Sequence, residues 1–326
     1  MTSPPDTFDD TPAGPTGHAL TRGAFTIING IASGMGGACG VDLRFAARVE
    51  LNGNGGKVET TFRGPGANAH MDDRLVQACI RRLASDVMGI EPGSAGARVE
   101  TVSEIPASRG LKSSSAAANA VLMAGLEALG HEMEPLDIVQ MGVDCAIEAG
   151  VTLTGAFDDA VATMFGGSVL TDNERRIIVS WLEVPPDLGV VFLVPDRKIH
   201  KDSLSRDDFV PIHDQVQEAF DLAREGDVAS AITLNGRAYA PIVGVDNTPA
   251  DAALAAGAWA AGMTGTGPAI AVVHTAEATE AVLAALAPFQ GTIVRTRTSS
   301  SPGMVLSGED YRLLRDEIAG GGPEHG

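Results

Sequence analysis

The stretch Ile105-Pro-Ala-Ser-Arg-Gly-Leu-Lys-Ser-Ser-Ser-Ala-Ala-Ala-Asn-Ala120 limits the possible folds more than any other part of the chain. It follows ARVETVSEI, which reads as a strand, and runs into AAANAVLMAGLEAL, an Ala-rich run that predicts a helix closing near Gly130. Between them lie a Pro, a Gly and three consecutive serines. The first amides of a helix have no intrahelical partner and sit at the positive end of its dipole, so a strand, a glycine loop and a helix start make an anion site. One serine there would be an ordinary N-cap. Pro, Gly and three serines in fixed order ask for more. The predicted anion loop is Pro106, Ala107, Ser108, Arg109, Gly110, Leu111, Lys112, Ser113, Ser114, Ser115 and Ala116. Serine hydroxyls add donors, and Lys112 adds a point charge.

The chain has 326 residues, 44% of them hydrophobic, enough for a large buried core. Aromatic residues are only 4%, so aliphatic side chains must fill that core. The formal net charge of −19 argues against a nucleic-acid partner. It does not exclude a small anionic substrate, because salt screens distant charge and a local basic cluster governs the site. Cys39, Cys79 and Cys145 lack metal-ligand spacing and predict buried thiols. No HxxxH pair suggests zinc. No apolar run reaches the roughly 18 residues of a membrane span. The N-terminal MTSPPDTFDDTPAGPTGHAL has neither the basic nor the apolar region of a signal peptide, so the expected location is cytoplasmic, without membrane partners.

Residues 1–20 are expected to be a disordered lead-in. Strands are predicted at 22–34, 41–52 and 97–105, and two more between 176 and 194 around VPPDLG. Helical spacing covers 70–88, the Ala-rich run, 135–149 and DDAVATMF, which Gly166-Gly167 stops. After about 195 come a polar segment, helices near 210–225, 227–237 and 248–260, a glycine hairpin GMTGTGP, a strand, a helix at 276–288 and a last strand GTIVRTRT. Strands and helices do not alternate strictly, which predicts an α+β build.

The anion loop resembles the phosphate-binding motif of the GHMP kinases (galactokinase, homoserine, mevalonate and phosphomevalonate kinases), Pro-x-x-x-Gly-Leu-Gly-Ser-Ser-Ala. The match is Pro106, Gly110, Leu111, Ser113 and Ser114, with Lys112 in place of the third-position Gly. GLKSSSAAAN resembles the form found in archaeal-type shikimate kinases, as does GAFTIINGIASGMGGACGVDL near the N-terminus. Gly155-Ala-Phe-Asp158-Asp159-Ala-Val-Ala-Thr-Met-Phe-Gly-Gly167 is similar to the mevalonate kinase stretch that carries a catalytic Asp, and Gly262–Pro268 to the family's glycine hairpin beside the nucleotide. The resemblance spans roughly residues 22–305. No G-x-x-x-x-G-K-[ST], H-R-D or D-F-G occurs, and the glycines do not fit G-x-G-x-x-G, so P-loop, protein-kinase and Rossmann readings are set aside.

The resemblance implies a GHMP fold of two α+β domains, 21–194 and 195–315, with the nucleotide cleft between them and a flexible tail at 316–326. It implies ATP-dependent phosphorylation of the 3-hydroxyl of shikimate with Mg²⁺. Other readings are a GHMP kinase for another small hydroxy compound, such as homoserine or a cyclitol, and a non-catalytic ligand sensor on the same fold. The implied catalytic residue is Asp158, which could instead cap the following helix, and Asp159 could take either role. Gly265 and Gly267 would lie against the nucleotide, and Ser114 and Glu148 would bind the metal. No Lys occurs between residues 22 and 45, where mevalonate-type kinases carry one that supports the Asp. Lys112 or an arginine is the expected substitute. The substrate carboxylate calls for a guanidinium or ammonium group. Arg197, Lys198, Lys201, Arg295 and Arg297 are the candidates, with Asn29 and Asp42 for hydroxyl contacts.

Overall fold

The computed structural model describes residues 14–52, 55–65, 67, 72–107, 109–152, 154–196 and 205–320. The first sheet is built on two long antiparallel strands, β1 (Thr16–Ile28) and β2 (Met35–Asn52), paired from Thr16 opposite Glu50 to Ile28 opposite Gly37. β2 is long enough to hold two further partners on one edge. Phe45–Asn52 pairs with β4 (Gly96–Ser103), and Met35–Cys39 pairs with β5 (Ser168–Asp172). β3 (Val58–Arg63) runs parallel to β4, β6 (Ile177–Leu182) pairs with β5, and the short β11 (Met304–Val305) pairs with β1.

Helices α1 (Arg74–Arg82), α2 (Ser113–Leu129), α3 (Pro135–Glu148) and α4 (Phe157–Phe165) cover one face of this sheet. Alternate side chains of a strand point to opposite faces. Accordingly Ala19 joins the main core, whereas Leu20 packs with Ala46 and Tyr311 under the C-terminal helix α9 (Gly308–Gly320). The second sheet has the antiparallel order β10 (Thr292–Arg297), β7 (Gly189–Val194), β9 (Ile270–His274), β8 (Ala260–Met263). With it go α5 (His213–Arg224), α6 (Val228–Ile242), α7 (Thr248–Ala255) and α8 (Thr279–Leu286). Side chains from both sheets join one hydrophobic cluster. Among the described residues no helix is long and apolar enough to cross a membrane.

Several expectations are corrected. Residues 16–20 belong to β1 and are not a lead-in, because β2 extends far enough to pair with them. At Gly17 the β1 backbone lies against α2, and a Cβ there would lie 2.1 Å from the Ala124 carbonyl oxygen. Residues 316–320 are helical, with Ile318 buried and Glu317 ion-paired to Arg44 at 2.9 Å. Residues 1–13 and 321–326 lie outside the described residues. The two strands around VPPDLG do not pair with each other. β6 closes the first sheet and β7 belongs to the second, so the change of sheet falls in the 183–188 link, ahead of residue 195. β3, β5, β11 and α9 were not anticipated.

Candidate active site

The predicted anion loop leaves β4, turns on Ser103, whose hydroxyl accepts the Ile105 N–H at 2.9 Å, and delivers the chain to the first turn of α2. Gly110 has φ 93° and Lys112 has φ 62°. A left-handed conformation costs a non-glycine residue about 1–2 kcal/mol, which accounts for the glycine of the family pattern at the Lys112 position. Ser113, Ser114 and Ser115 stand half-buried in the first turn of α2.

The glycine hairpin between β8 and β9 is seated directly on this loop. Thr264 Oγ1 donates to the Gly110 carbonyl at 2.9 Å, and the Ala269 N–H donates to the Arg109 carbonyl at 3.4 Å. A Cβ on Gly110 would fall 2.2 Å from the Thr264 carbonyl oxygen, and one on Gly265 would fall 2.9 Å from the Gly110 Cα. Only glycines permit that approach. β1 joins them: the Thr26 N–H donates to Thr264 Oγ1 (3.0 Å), the Gly265 N–H to Thr26 Oγ1 (2.8 Å) and Asn29 Nδ2 to the Gly265 carbonyl (2.7 Å). Gly267, at φ 75°, completes the turn.

Asp158 is the second residue of α4. The helix is capped by Ala156, at φ 49°, with no capping side chain, so Asp158 is not the N-cap. Asn173, immediately after β5, does that work from outside. Its Oδ1 accepts the Asp158 N–H at 3.0 Å, and its Nδ2 donates to Asp158 Oδ1 at 2.8 Å. The Asp158 side chain is 3% exposed. Burial pushes its carboxyl up to about 7, helped by the neighbouring Asp159 charge and opposed by Lys112 and the Asn173 hydrogen bond.

Asp159 lies against Lys112, with Nζ and Oδ1 2.8 Å apart and side chains 7% and 13% exposed. That oxygen has no well-aligned hydrogen bond, so the contact is one of charge at close range. It ties the start of α2 to the start of α4. Asn119 adds a second tie, donating to the Ala160 carbonyl at 2.9 Å and to Thr163 Oγ1 at 3.0 Å. The anion loop, the hairpin and the aspartates are thereby held by one set of contacts.

Other candidates fall elsewhere. Glu148, at the exposed end of α3, is ion-paired with Arg81 at 2.8 Å and is 44% exposed. Its carboxylate finds a guanidinium on α1, and among the described residues its hydrogen bonds go to Arg81. Arg297 is 67% exposed and pairs with Asp42 at 3.2 Å, and Asp42 also accepts from Arg22 at 3.1 Å. Asp42 lies six residues along β2 from Gly36, the residue that abuts Asp158, or roughly 20 Å at strand rise. Arg295 is exposed on β10, two residues from Arg297. Asn29 is at the site, but it contacts backbone: it braces Gly265, and its own N–H donates to Asn235 Oδ1 at 2.9 Å. Ser108, Arg197, Lys198 and Lys201 lie outside the described residues.

Sequence reading missed Asn173, Thr264, Asn235 and Tyr239. The Tyr239 hydroxyl donates to the Asn29 carbonyl (2.6 Å) and accepts the Ala32 N–H (2.9 Å). Single polar residues at the ends of strands or inside a helix carry no spacing signal. Thr264 alone sat in a noticed motif, where the glycines drew the attention.

A family model described as the GHMP kinases N terminal domain matches residues 74–167, which include the anion loop and Asp158. The shikimate kinase of Methanocella arvoryzae is 38% identical over 298 residues, 90% of this chain and 98% of that protein. The shikimate kinase of Methanococcoides burtonii is 42% identical over 78% of this chain and 85% of that protein. Among solved structures, L. major mevalonate kinase in complex with R-mevalonate aligns over 90% of this chain and 99% of its own, with TM-score 0.70 at 14% identity, a likeness of fold. An α+β fold, two glycine motifs locked together beside a buried Asp, and relatives of this identity over most of the chain agree: the chain belongs to the GHMP kinase family, in the group that holds its relatives named shikimate kinase.

Proposed function

We propose that the chain transfers the γ-phosphoryl group of ATP to the 3-hydroxyl of shikimate, giving ADP and 3-phosphoshikimate. The observation that carries this reading is the backbone-to-backbone seating of Gly110 on the Gly265 hairpin, with Lys112 reaching from the same loop to the helix of Asp158. The shikimate kinase relatives support the acceptor.

Phosphoryl transfer needs positioning and charge neutralisation more than covalent chemistry. The amides at the start of α2 and the serine hydroxyls bind the phosphates, and Lys112 adds a cation beside them. The acceptor hydroxyl has a pKa far above 7, so Asp158 takes its proton as the bond to phosphorus forms. A carboxyl held near neutrality by burial is suited to that exchange.

The donor set fits a nucleotide's phosphates: Ser113, Ser114 and Ser115 stand in the first turn of α2 with no side-chain cap on its amides, and Lys112 lies beside them. Among the described residues no cluster of three or more His, Cys, Asp or Glu could hold a metal by itself. That fits Mg²⁺, which binds through one or two protein oxygens together with substrate phosphates. The Ser114 hydroxyl would hold it, and its contribution when bound is to neutralise charge on the transferring group. A part for Glu148 would require it to exchange Arg81 for the metal.

Asp158→Asn tests the reading. The expected result is a kcat lower by about 10²- to 10⁴-fold with ATP affinity little changed. An unaltered kcat would remove Asp158 from the mechanism.

A further inference from the structure

No lysine occurs between residues 22 and 45 to hold Asp158, and the backbone of the N-terminal strands lies directly against its carboxylate. At the start of β2, Gly36 lies against the carboxylate: a Cβ there would be 2.7 Å from Asp158 Cγ and 2.5 Å from Asn173 Nδ2. A Cβ on Gly30 would likewise be 2.6 Å from Asn173 Nδ2. Two glycines thus open a slot, and the amide of Asn173 fills it.

The orientation of that amide is fixed by chemistry. The Asp158 N–H can only donate, so the atom 3.0 Å from it is the oxygen, and the NH₂ faces the carboxylate. Thr171 Oγ1 also donates to that oxygen at 2.8 Å, and the Asn173 N–H donates to the Gly34 carbonyl at 2.9 Å. Asn173 is therefore anchored at both backbone and side chain. It grips Asp158 twice, by peptide N–H and by carboxylate, which sets both the start of α4 and the direction of the acid.

We infer that Asn173 is a positioning residue for phosphoryl transfer, holding the Asp158 carboxylate toward the acceptor hydroxyl. The inference rests on the proposed role of Asp158. A neutral donor leaves the carboxylate free to take a proton, whereas an ion pair at the same oxygen would hold it ionised.

The test is a double-mutant cycle on the full chain, read as kcat and KM for ATP and shikimate, with thermal unfolding alongside. Asn173→Ala is expected to lower kcat about 10- to 100-fold, the value of a hydrogen bond to a charged group, with KM for ATP unchanged. In an Asp158→Asn background the same substitution is expected to cost nothing further, because its effect runs through that carboxylate. Thr171→Val removes only the hydroxyl that steadies Asn173. It is expected to lower kcat in the same direction by less, and it keeps the idea testable should Asn173→Ala not fold. If neither variant lowers kcat, or if Asn173→Ala lowers it equally in both backgrounds, the inference is overturned. Were Asp158→Asn itself without effect on kcat, the failure would lie with the role of Asp158.

Discussion

Lys112 carries two opposed demands. Its backbone is left-handed, where glycine would be at ease, and its side chain is almost fully buried against Asp159. What the side chain supplies there is its charge, which meets Asp159 and also opposes the burial that raises Asp158. The sign of the consequence follows. In the free enzyme, kcat/KM should rise with pH around an acid-side midpoint near 7, as Asp158 loses its proton. Lys112→Met removes the cation, so the midpoint should move to higher pH, and a fixed or lowered midpoint would contradict the account. Stability carries the same signature. The folded state holds a proton that the unfolded chain releases above pH 3.8, so this group's contribution falls as pH rises from 3.8 to about 7. His18, lowered to about 4 by burial, contributes the opposite slope to wild type and variant alike, so the quantity to follow by urea unfolding is the stability of wild type minus that of Asp158→Asn, which should decline as pH rises across that window. Lys112 and Asp158 were legible through their motifs. Asn173 was not, because a lone Asn after a short strand meets Asp158 only when β2 and β5 pair.

Among elements, the contact between the anion loop and the β8–β9 hairpin matters most. Gly110→Ala meets both a positive φ and a carbonyl 2.2 Å away. It should reduce stability by about 1–3 kcal/mol and weaken ATP binding more than shikimate binding. Denaturation and equilibrium nucleotide titration check this, and unchanged nucleotide affinity would argue that the hairpin does not shape the phosphate site. α2, α4 and the hairpin were legible because each has a local mark: an Ala-rich run, a glycine stop, a glycine turn. β5, a five-residue strand, has no such mark and is defined by its partners β2 and β6. β6 and β7 resemble a hairpin locally, yet β6 folds back onto β5, while β7 pairs with β9 and β10 far along the chain, and long-range pairing of that kind is invisible to periodicity.

For the molecule as a whole, a net charge of −19 has to coexist with an anionic acceptor. Lys112, beside Asp158, is engaged by Asp159, and Arg297 pairs with Asp42 on a distant part of β2. As a proposal from the sequence, Arg197 and Lys201 are assigned the grip on the shikimate carboxylate. Arg197→Ala should raise KM for shikimate by about 10- to 100-fold, as expected for a lost charge-assisted bond, and leave KM for ATP alone. Arg297→Ala should change neither, and the reverse pattern would return the carboxylate to β10. The α+β class was legible from the irregular order of elements. The return of the C-terminal helix to the first sheet was not, because its buried Tyr311 and Ile318 are too few to mark a core face.

The most direct measurement is ADP release with ATP and a panel of acceptors: shikimate, homoserine, mevalonate and a cyclitol. Release that depends on shikimate, with one phosphorylated product formed per ADP, is the predicted result. Turnover of homoserine or mevalonate with shikimate inert, or no acceptor-dependent release at all, would contradict it.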